Sequence, residues 1–510
     1  MKEPKTLART RGIALRVTAD FVLVQAAMFI ALTVAGVYSQ VAGGYSPREY
    51  LNALRSYHLL VFTPLSLVFP LFYSLGGLYT RARSWTSPSR LWRGAVCAAL
   101  SAGVVLLAGR LVPGSPGLPR SAALVFALLV IVAAPGVRLV KDTLFEEDSR
   151  SGSGPETVLV VGGAGYIGSI LVRKLLQRKY RVRVLDNLIY GDSAIRDVLG
   201  HPRLEFQKGD CRNIKDVVKA MAGVRSVVHL AAIVGDPACD QDHQTAREIN
   251  YAATRMMIEV AKGEKVGRFV FASSCSVYGA SDEVMTEISE PCPISLYAAT
   301  KVDSEEALLA AESETFHPTI LRFATIFGLS PRPRFDLVVN LLTAKARQEG
   351  LITIFNGEQW RPFLHVHDAA EAIARVLGAP VELVGGEIYN IGDQRLNYTL
   401  TNISELIRTV FPRTRVEHME NTDRRSYRVS FDKVHSQLGF ECSRDVKAGI
   451  LELKQAFDEG AIVDYKHPLY SNVKYLEKHG TPRHNDETGA QVMAALANKP
   501  SSSRAAAAVA

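Results

Sequence analysis

Four long apolar stretches dominate the first 150 residues. No charged side chain lies between Asp20 and Arg48, Arg55 and Arg81, Arg93 and Arg110, or Arg120 and Arg138. The hydrocarbon core of a bilayer needs about 20 apolar residues to be crossed by a helix. The pattern therefore predicts four spans, at 17–40, 58–79, 94–112 and 121–140. The last two runs are the shortest, and Arg110 and Arg138 sit near their ends, where a long side chain can snorkel to the interface. Pro64 and Pro70 are expected to kink the second span.

The pattern changes at residue 157. Short β-branched runs now alternate with helical stretches: 157–161 (TVLVV), 181–185 (RVRVL), 204–206, 226–230, 268–273 and 319–322. Runs of this kind read as parallel strands buried on both faces. The prediction is an α/β, Rossmann-type doubly wound parallel sheet with a small C-terminal substrate-binding part, preceded by an all-α transmembrane domain. The expected divisions are a membrane domain over 1–145, a Gly/Ser-rich linker over 146–155, a catalytic domain over 156–475 whose substrate part lies mainly from 323 onward, and a disordered tail over 476–510.

Charge sharpens this division. Residues 1–150 hold 16 Lys+Arg against 7 Asp+Glu, whereas the remaining 360 hold 43 against 44. The net charge of +8 thus belongs to the membrane part, and the chain is not expected to bind nucleic acid. Lys2, Lys5, Arg9, Arg11 and Arg16 precede the first span, Arg81, Arg83, Arg90 and Arg93 separate the second and third, and Lys141 follows the fourth. By the positive-inside rule both termini are cytoplasmic. The expected location is the inner, cytoplasmic membrane, with several passes through the lipid bilayer and the catalytic domain in the cytoplasm. A cleaved signal peptide would explain only the first stretch. No intramembrane carboxylate pair suggests transport. The six cysteines show no CxxC spacing, so no metal site is expected.

Candidate chemistry begins at Gly162-Gly-Ala-Gly165-Tyr166-Ile167-Gly168. Gly162 permits the tight strand-to-helix turn, Gly165 lets the backbone approach a pyrophosphate, and Gly168 lets the helix pack on the sheet. The helix N-terminus offers N–H groups to the phosphates. Asp186, which ends the second strand 18 residues after Gly168, is placed to accept from both adenosine ribose hydroxyls and to repel a 2′-phosphate. Only Asn187 and Leu188 follow it, so NAD is the expected cofactor rather than NADP. Downstream, Tyr297 and Lys301 stand at i and i+4 of a helix, on one face. A nearby ammonium favours the phenolate, which turns Tyr297 into a base near neutral pH. Ser274 and Ser276 lie at a strand end, at the carboxyl edge where such sheets bind ligands.

These pieces together resemble the extended short-chain dehydrogenase/reductase family, most closely its nucleotide-sugar epimerases such as UDP-galactose 4-epimerase. The resemblance covers about 156–470 and runs in order: GGAGYIG (162–168), VLDN (184–187), GD (209–210), HLAA (229–232), FASSCSVYG (271–279), YAATK (297–301), LRFATIFG (321–328) and WRPFLHVHD (360–368). It implies a catalytic set of Ser274, Tyr297 and Lys301. It implies cofactor contacts from Tyr166, Ile167, Asn187, Asp210, Cys211, Leu230, Ala231, Ala232 and Asn250 beside the glycines and Asp186. For the substrate it implies Ser276, Thr325, Asn340, Arg361 and Arg425, the arginines on a diphosphate. Thr325 stands where the family often has an Asn. The 4,6-dehydratases carry two acids at the strand end, but this chain has Ser274-Cys275-Ser276-Val277. Cys275 reads as a packed thiol.

The resulting expectation is a membrane-anchored, NAD-dependent nucleotide-sugar epimerase, acting at C4 through a transient keto sugar in envelope polysaccharide or glycan synthesis. The substrate is a nucleotide-diphosphate sugar or a polyprenyl-diphosphate sugar, and the resemblance implies a homodimer. The alternatives are an oxidoreductase or decarboxylase of the same family, or a catalytically silent membrane scaffold.

Overall fold

Strand β1 (Thr157–Val161) lies inside a seven-stranded parallel sheet, paired on one side with β2 (Arg181–Asp186) and on the other with β4 (Ser226–His229). In the computed structural model the further strands are β3 (Leu204–Lys208), β5 (Arg268–Ser274), β6 (His317–Phe323) and β7 (Glu387–Ile391), in the spatial order β7-β6-β5-β4-β1-β2-β3. The order reverses between β1 and β4, and the crevice beyond their carboxyl ends is where a ligand binds in such a sheet. The structure describes residues 17–34, 58–75, 88–111, 121–132, 156–423, 425–484 and 487–498. The chain forms two compact units, Met1–Gly154 and Pro155–Ala510.

Successive strand residues point to opposite faces, and both faces are apolar. Val158, Val160, Val182 and Val184 pack with Leu171 and Leu175 of helix α1 (Tyr166–Gln177). Leu159, Val161 and Leu185 pack on the other side with Val217 of helix α2 (Ile214–Met221) and Met257 of helix α3 (Ala253–Gly263). Helix α4 (Leu296–Ala310) opens on Ser295, whose side chain accepts from Ala298 N. The substrate part is not a consecutive block from 323. Glu387–Ile391 returns to the main sheet as β7, with Ile388 opposite Ile320, because its IYNI core faces the same apolar layer. The smaller part has its own three-stranded sheet of Thr325–Phe327, Trp360–His365 and Asn397–Thr399 and a core that includes Phe327, Ile352, Phe363 and Ile403.

The expected disorder over 476–510 is corrected in part. Asn472–His479 forms helix α5 and Glu487–Ala497 helix α6, with Leu476, Met493 and Ala497 buried in the main core. Alanine-rich small residues that suggest an unstructured tail are also strong helix formers. Met493 and Ala497, four apart, give α6 an apolar face, and Arg255 Nη1 donates to Leu496 O. Residues 499–510 lie outside the described ones.

Within the first unit, Val17–Val34 is one helix long and apolar enough to cross a membrane. Thr63–Leu75, Trp92–Ala108 and Ser121–Val132 are apolar but shorter, so among the described residues four full spans are not reached. The second stretch is broken as its prolines require: a π-turn at His58–Phe62, a short helix at Thr63–Leu65, then Val68–Leu75. The unit has its own core, in which Phe62 and Phe69 meet Phe126 edge-on at 5.3 and 6.0 Å. The same helices also expose Phe29, Leu71, Leu107 and Leu128. The linker at 146–155 and the orienting charges Lys2, Lys5, Arg9, Arg11, Arg16, Arg81, Arg83 and Lys141 lie outside the described residues.

Candidate active site

The glycines stand as the sequence requires. Gly162 has φ +88°, and a Cβ there would come within 2.8 Å of Ala231 N. A Cβ on Gly168 would meet Gly162 O at 2.2 Å. Gly165 caps α1 with no side chain in the way, so the first N–H groups of the helix stay open. Tyr166 is buried and donates its hydroxyl to Gly328 O at 2.6 Å, which ties the turn to the smaller part. At the end of β2, Asp186 accepts from Ala164 N at 2.9 Å and Leu188 N at 2.8 Å. Burial raises its carboxyl above the usual range although both N–H groups favour the anion.

A cavity of about 460 Å³ runs from this turn to α4. It is lined by Ile167, Asn187, Cys211, Leu230, Ala231 and Ala232 on the dinucleotide side, and by Ser274, Ser276, Tyr297, Lys301, Thr325, Arg361 and Arg425 further along. Three expected contacts are not on its wall. Asp210 faces buried Arg212 at 2.8 Å; burial opposes the anion, but the guanidinium holds its carboxyl below the usual range. Asn250 is buried, accepting from Ile233 N at 2.8 Å and donating to Ile233 O at 3.0 Å. Asn340 accepts from Gly328 N at 2.9 Å and donates to Arg334 O at 2.9 Å. Each asparagine satisfies the backbone of a loop that lines the cavity, so both position the wall from behind it.

Helix α4 carries Tyr297 and Lys301 and is locked to β5. Glu305 accepts from Arg322 at 2.6 Å and, through its other oxygen, from Ser273, while Arg322 also donates to the Tyr278 hydroxyl at 2.9 Å. Lys301 is buried and donates to Ala272 O at 2.8 Å, and burial lowers its pKa to about 8. The Tyr297 phenol is raised by burial and by nearby Cys239 and Asp236. Arg334 and a hydrogen bond with the Ser274 side chain oppose that rise. Arg334, a residue that pattern alone did not single out, thus adds a second positive charge to the surroundings of the phenol, while the Lys301 ammonium, bonded to the Ala272 carbonyl, lies 5.7 Å from the centre of its ring. The Ser276 hydroxyl is buried on the cavity wall with no hydrogen-bond partner. Cys275 lies off the wall, its buried thiol 3.3 Å from Arg322 O and its pKa raised by burial, as a packed thiol should be.

Arg361 and Arg425 share the wall with acids. Arg425 holds Asp423 through two bonds, at 2.9 and 2.6 Å, and meets Asp236 at 2.5 Å. Arg361 lies 3.5 Å from Asp423. Sequence reading missed Arg332, Arg334, Tyr190 and Asn472, which also line the cavity. The Arg332-Pro333-Arg334 run in the loop after the Thr325–Phe327 strand was the available signal.

Residues 158–392 match the profile of the NAD dependent epimerase/dehydratase family. The chain is 33% identical to the uncharacterized UDP-glucose epimerase YtcB of Bacillus subtilis over 246 residues, 46% of this chain and 76% of that protein. The chain belongs to this family. It is also 27% identical to the UDP-N-acetyl-alpha-D-glucosaminuronate decarboxylase of Bacillus cytotoxicus, over 63% of this chain and 97% of that one. The crystal structure of UDP-glucuronic acid 4-epimerase from Bacillus cereus with UDP-glucuronic acid and NAD is similar at a TM-score of 0.54 and 25% identity, over 59% of this chain and 99% of that one. As in its family, the cofactor is NAD. The residues present fit it: the side-chain-free turn at Gly162 and Gly165 and the open helix start would receive the phosphates, and the half-buried Asp186 carboxylate at the end of β2 would receive the ribose.

Proposed function

We propose that this chain is a membrane-anchored, NAD-dependent nucleotide-sugar epimerase acting at C4. When bound, NAD supplies the acceptor for a hydride and returns it. Tyr297 takes the proton of the sugar hydroxyl and later gives it back. Ser274 hydrogen-bonds the same oxygen, and Lys301, pinned to Ala272 O, keeps its ammonium beside the phenol. Arg361 and Arg425 hold the diphosphate while the sugar turns over.

One observation carries this reading: among the described residues, no carboxylate on the cavity wall is free to eliminate water. The strand end holds Ser274 and Ser276, and the acids on the wall are engaged, Asp236 and Asp423 with Arg425, Asp336 with Arg334, and Asp186 with backbone N–H groups. What remains is a base that moves a hydroxyl proton. The membrane anchor is supported by helices that bury one apolar face and expose another, since a helix apolar all round belongs in a large core or a bilayer. The four-span, cytoplasm-facing arrangement and the polysaccharide setting are part of this proposal.

The test is to incubate full-length protein in detergent micelles with UDP-, GDP- and dTDP-sugars and a polyprenyl-diphosphate sugar. A product of unchanged mass and inverted C4 supports the reading. Loss of 18 mass units would make the enzyme a dehydratase, and loss of 44 with a uronic acid substrate a decarboxylase. A chain starting at Glu156 that epimerises the free nucleotide sugar at full rate assigns the first unit to localisation alone.

A further inference from the structure

Four arginines face the cavity, and three of them are matched with acids. Arg334 meets Asp336 at 2.8 Å, Arg425 meets Asp423 at 2.6 Å, and Arg361 lies 3.5 Å from Asp423. Arg332 is different. Its side chain is buried, with the residue only 7% exposed, yet it forms no ion pair among the described residues. Its Nη2 donates to Asn472 Oδ1 at 2.7 Å, and its guanidinium carbon lies 3.6 Å from the centre of the Tyr190 ring. Its Nε is buried with no hydrogen-bond partner. Burial lowers its pKa to about 10, so it stays charged at neutral pH. A buried cation with an unfilled donor is costly unless an anion arrives to meet it.

The surroundings say which anion. Tyr190, under the guanidinium, follows Asp186 by four residues and leaves the same strand end. Arg334, two residues on, lies over the ring of Tyr166 in the first turn of α1 at 5.9 Å. Arg332 therefore sits on the glycine-turn side of the cavity, beside an uncapped helix N-terminus that attracts phosphate. We propose that Arg332 is a dinucleotide-binding residue whose free Nε–H donates to the pyrophosphate of NAD, with Tyr190 and the C-terminal helix α5 holding the guanidinium in place. Asn472 is the positioning residue. It is fixed by Nδ2 donating to Val234 O at 3.3 Å and by its N donating to Asp336 at 3.1 Å. Tyr475, one turn along α5, packs on Tyr190 with ring centres 5.1 Å apart. The planar fork of Arg suits two phosphate oxygens better than a Lys point charge does. The C-terminal segment thereby takes a part in holding the cofactor.

The experiment is fluorescence titration of full-length protein, stripped of nucleotide with charcoal, with NADH and NADPH, and calorimetric titration with ADP-ribose, adenosine and UDP. Arg332→Gln should weaken NADH, NADPH and ADP-ribose by a common factor of about 10- to 100-fold, the worth of one charge-assisted hydrogen bond. Adenosine and UDP should bind as before, which also shows that the variant is folded. Arg332→Lys should restore part of the loss. Asn472→Ala should weaken NADH by a smaller factor with UDP binding intact. Unchanged NADH affinity in Arg332→Gln overturns the proposal. So does loss confined to NADPH, which would mark a 2′-phosphate contact, or loss confined to UDP, which would place Arg332 on the substrate. If Arg332→Gln does not fold, Arg332→Lys and Asn472→Ala decide, and full NADH affinity in both rejects the role.

Discussion

The Lys301 ammonium lies 5.7 Å from the centre of the Tyr297 ring, one helical turn along α4, and donates to Ala272 O on β5 at 2.8 Å. The bond joins helix α4 to the strand that ends in Ser274. On the proposed mechanism, the two side chains that act together, Ser274 and Tyr297, are thus held by one cation.

Removing the phenol hydroxyl tests the base directly. Tyr297→Phe keeps the ring and the packing, so NADH titration should be unchanged while turnover falls by about 10²-fold or more. Ser274→Ala should lose about 10-fold, because the Tyr297 phenol loses a hydrogen bond that opposes its raised pKa. Near-normal turnover in Tyr297→Phe would remove Tyr297 from the mechanism.

Burial of Lys301 has a pH signature. Its pKa falls from 10.5 to about 8 on folding. Below pH 8 it is protonated in both states, and folding bears the cost of burying the charge. Between pH 8 and 10.5 the unfolded chain holds the proton that the folded one has lost, so stability rises with pH. The gain is at most about 3 kcal/mol. Lys301→Met should lack that rise when unfolding by urea is compared at pH 7.5 and 10 in protein stripped of cofactor. The same slope in both proteins would refute the assignment.

The cofactor reading gives Asp186 two tasks, and its variant should show both. Its two carboxylate oxygens accept from Ala164 N and Leu188 N. Asp186→Asn removes the charge and leaves a single acceptor oxygen. NADH affinity should fall, and the preference for NADH over NADPH should shrink by roughly 10-fold or more as repulsion of a 2′-phosphate is lost. Parallel titrations with the two cofactors measure the ratio. A ratio equal to that of the unmodified protein would assign discrimination elsewhere.

Glu305 and Arg322 pair at 2.6 Å with both side chains 3% exposed. Glu305→Gln keeps the shape and leaves the guanidinium without its counter-charge. Urea unfolding should show a loss of about 3–5 kcal/mol, the usual result of breaking a buried pair. A loss below 1 kcal/mol would show that the pair is not a lock between α4 and the sheet.

What was legible in the sequence is local in the chain. The Val-rich strand, the glycine turn and Asp186 span only 157–186, and their roles follow from φ, missing Cβ atoms and two backbone N–H groups. Tyr297 and Lys301 were legible for the same reason, since a helix brings i and i+4 together wherever it sits. Other features were decided by distant partners. Asn250 and Asn340 look like site residues by position, yet each turns its amide to the backbone of a loop, because a buried N–H or C=O must be satisfied before any ligand is met. Glu387–Ile391 joins the main sheet because β6 offers it an open edge, something no nearby residue signals. The tail at 487–497 is helical because Met493 and Ala497 find the main core. Arg332 reads as one more surface charge until β2, the loop after β6 and α5 bring Tyr190 and Asn472 against it from 142 and 140 residues away. Local geometry determined the glycine turn and the helix that carries Tyr297 and Lys301. Burial, which only the assembled fold produces, decided which charges were left without partners and therefore which side chains await a ligand.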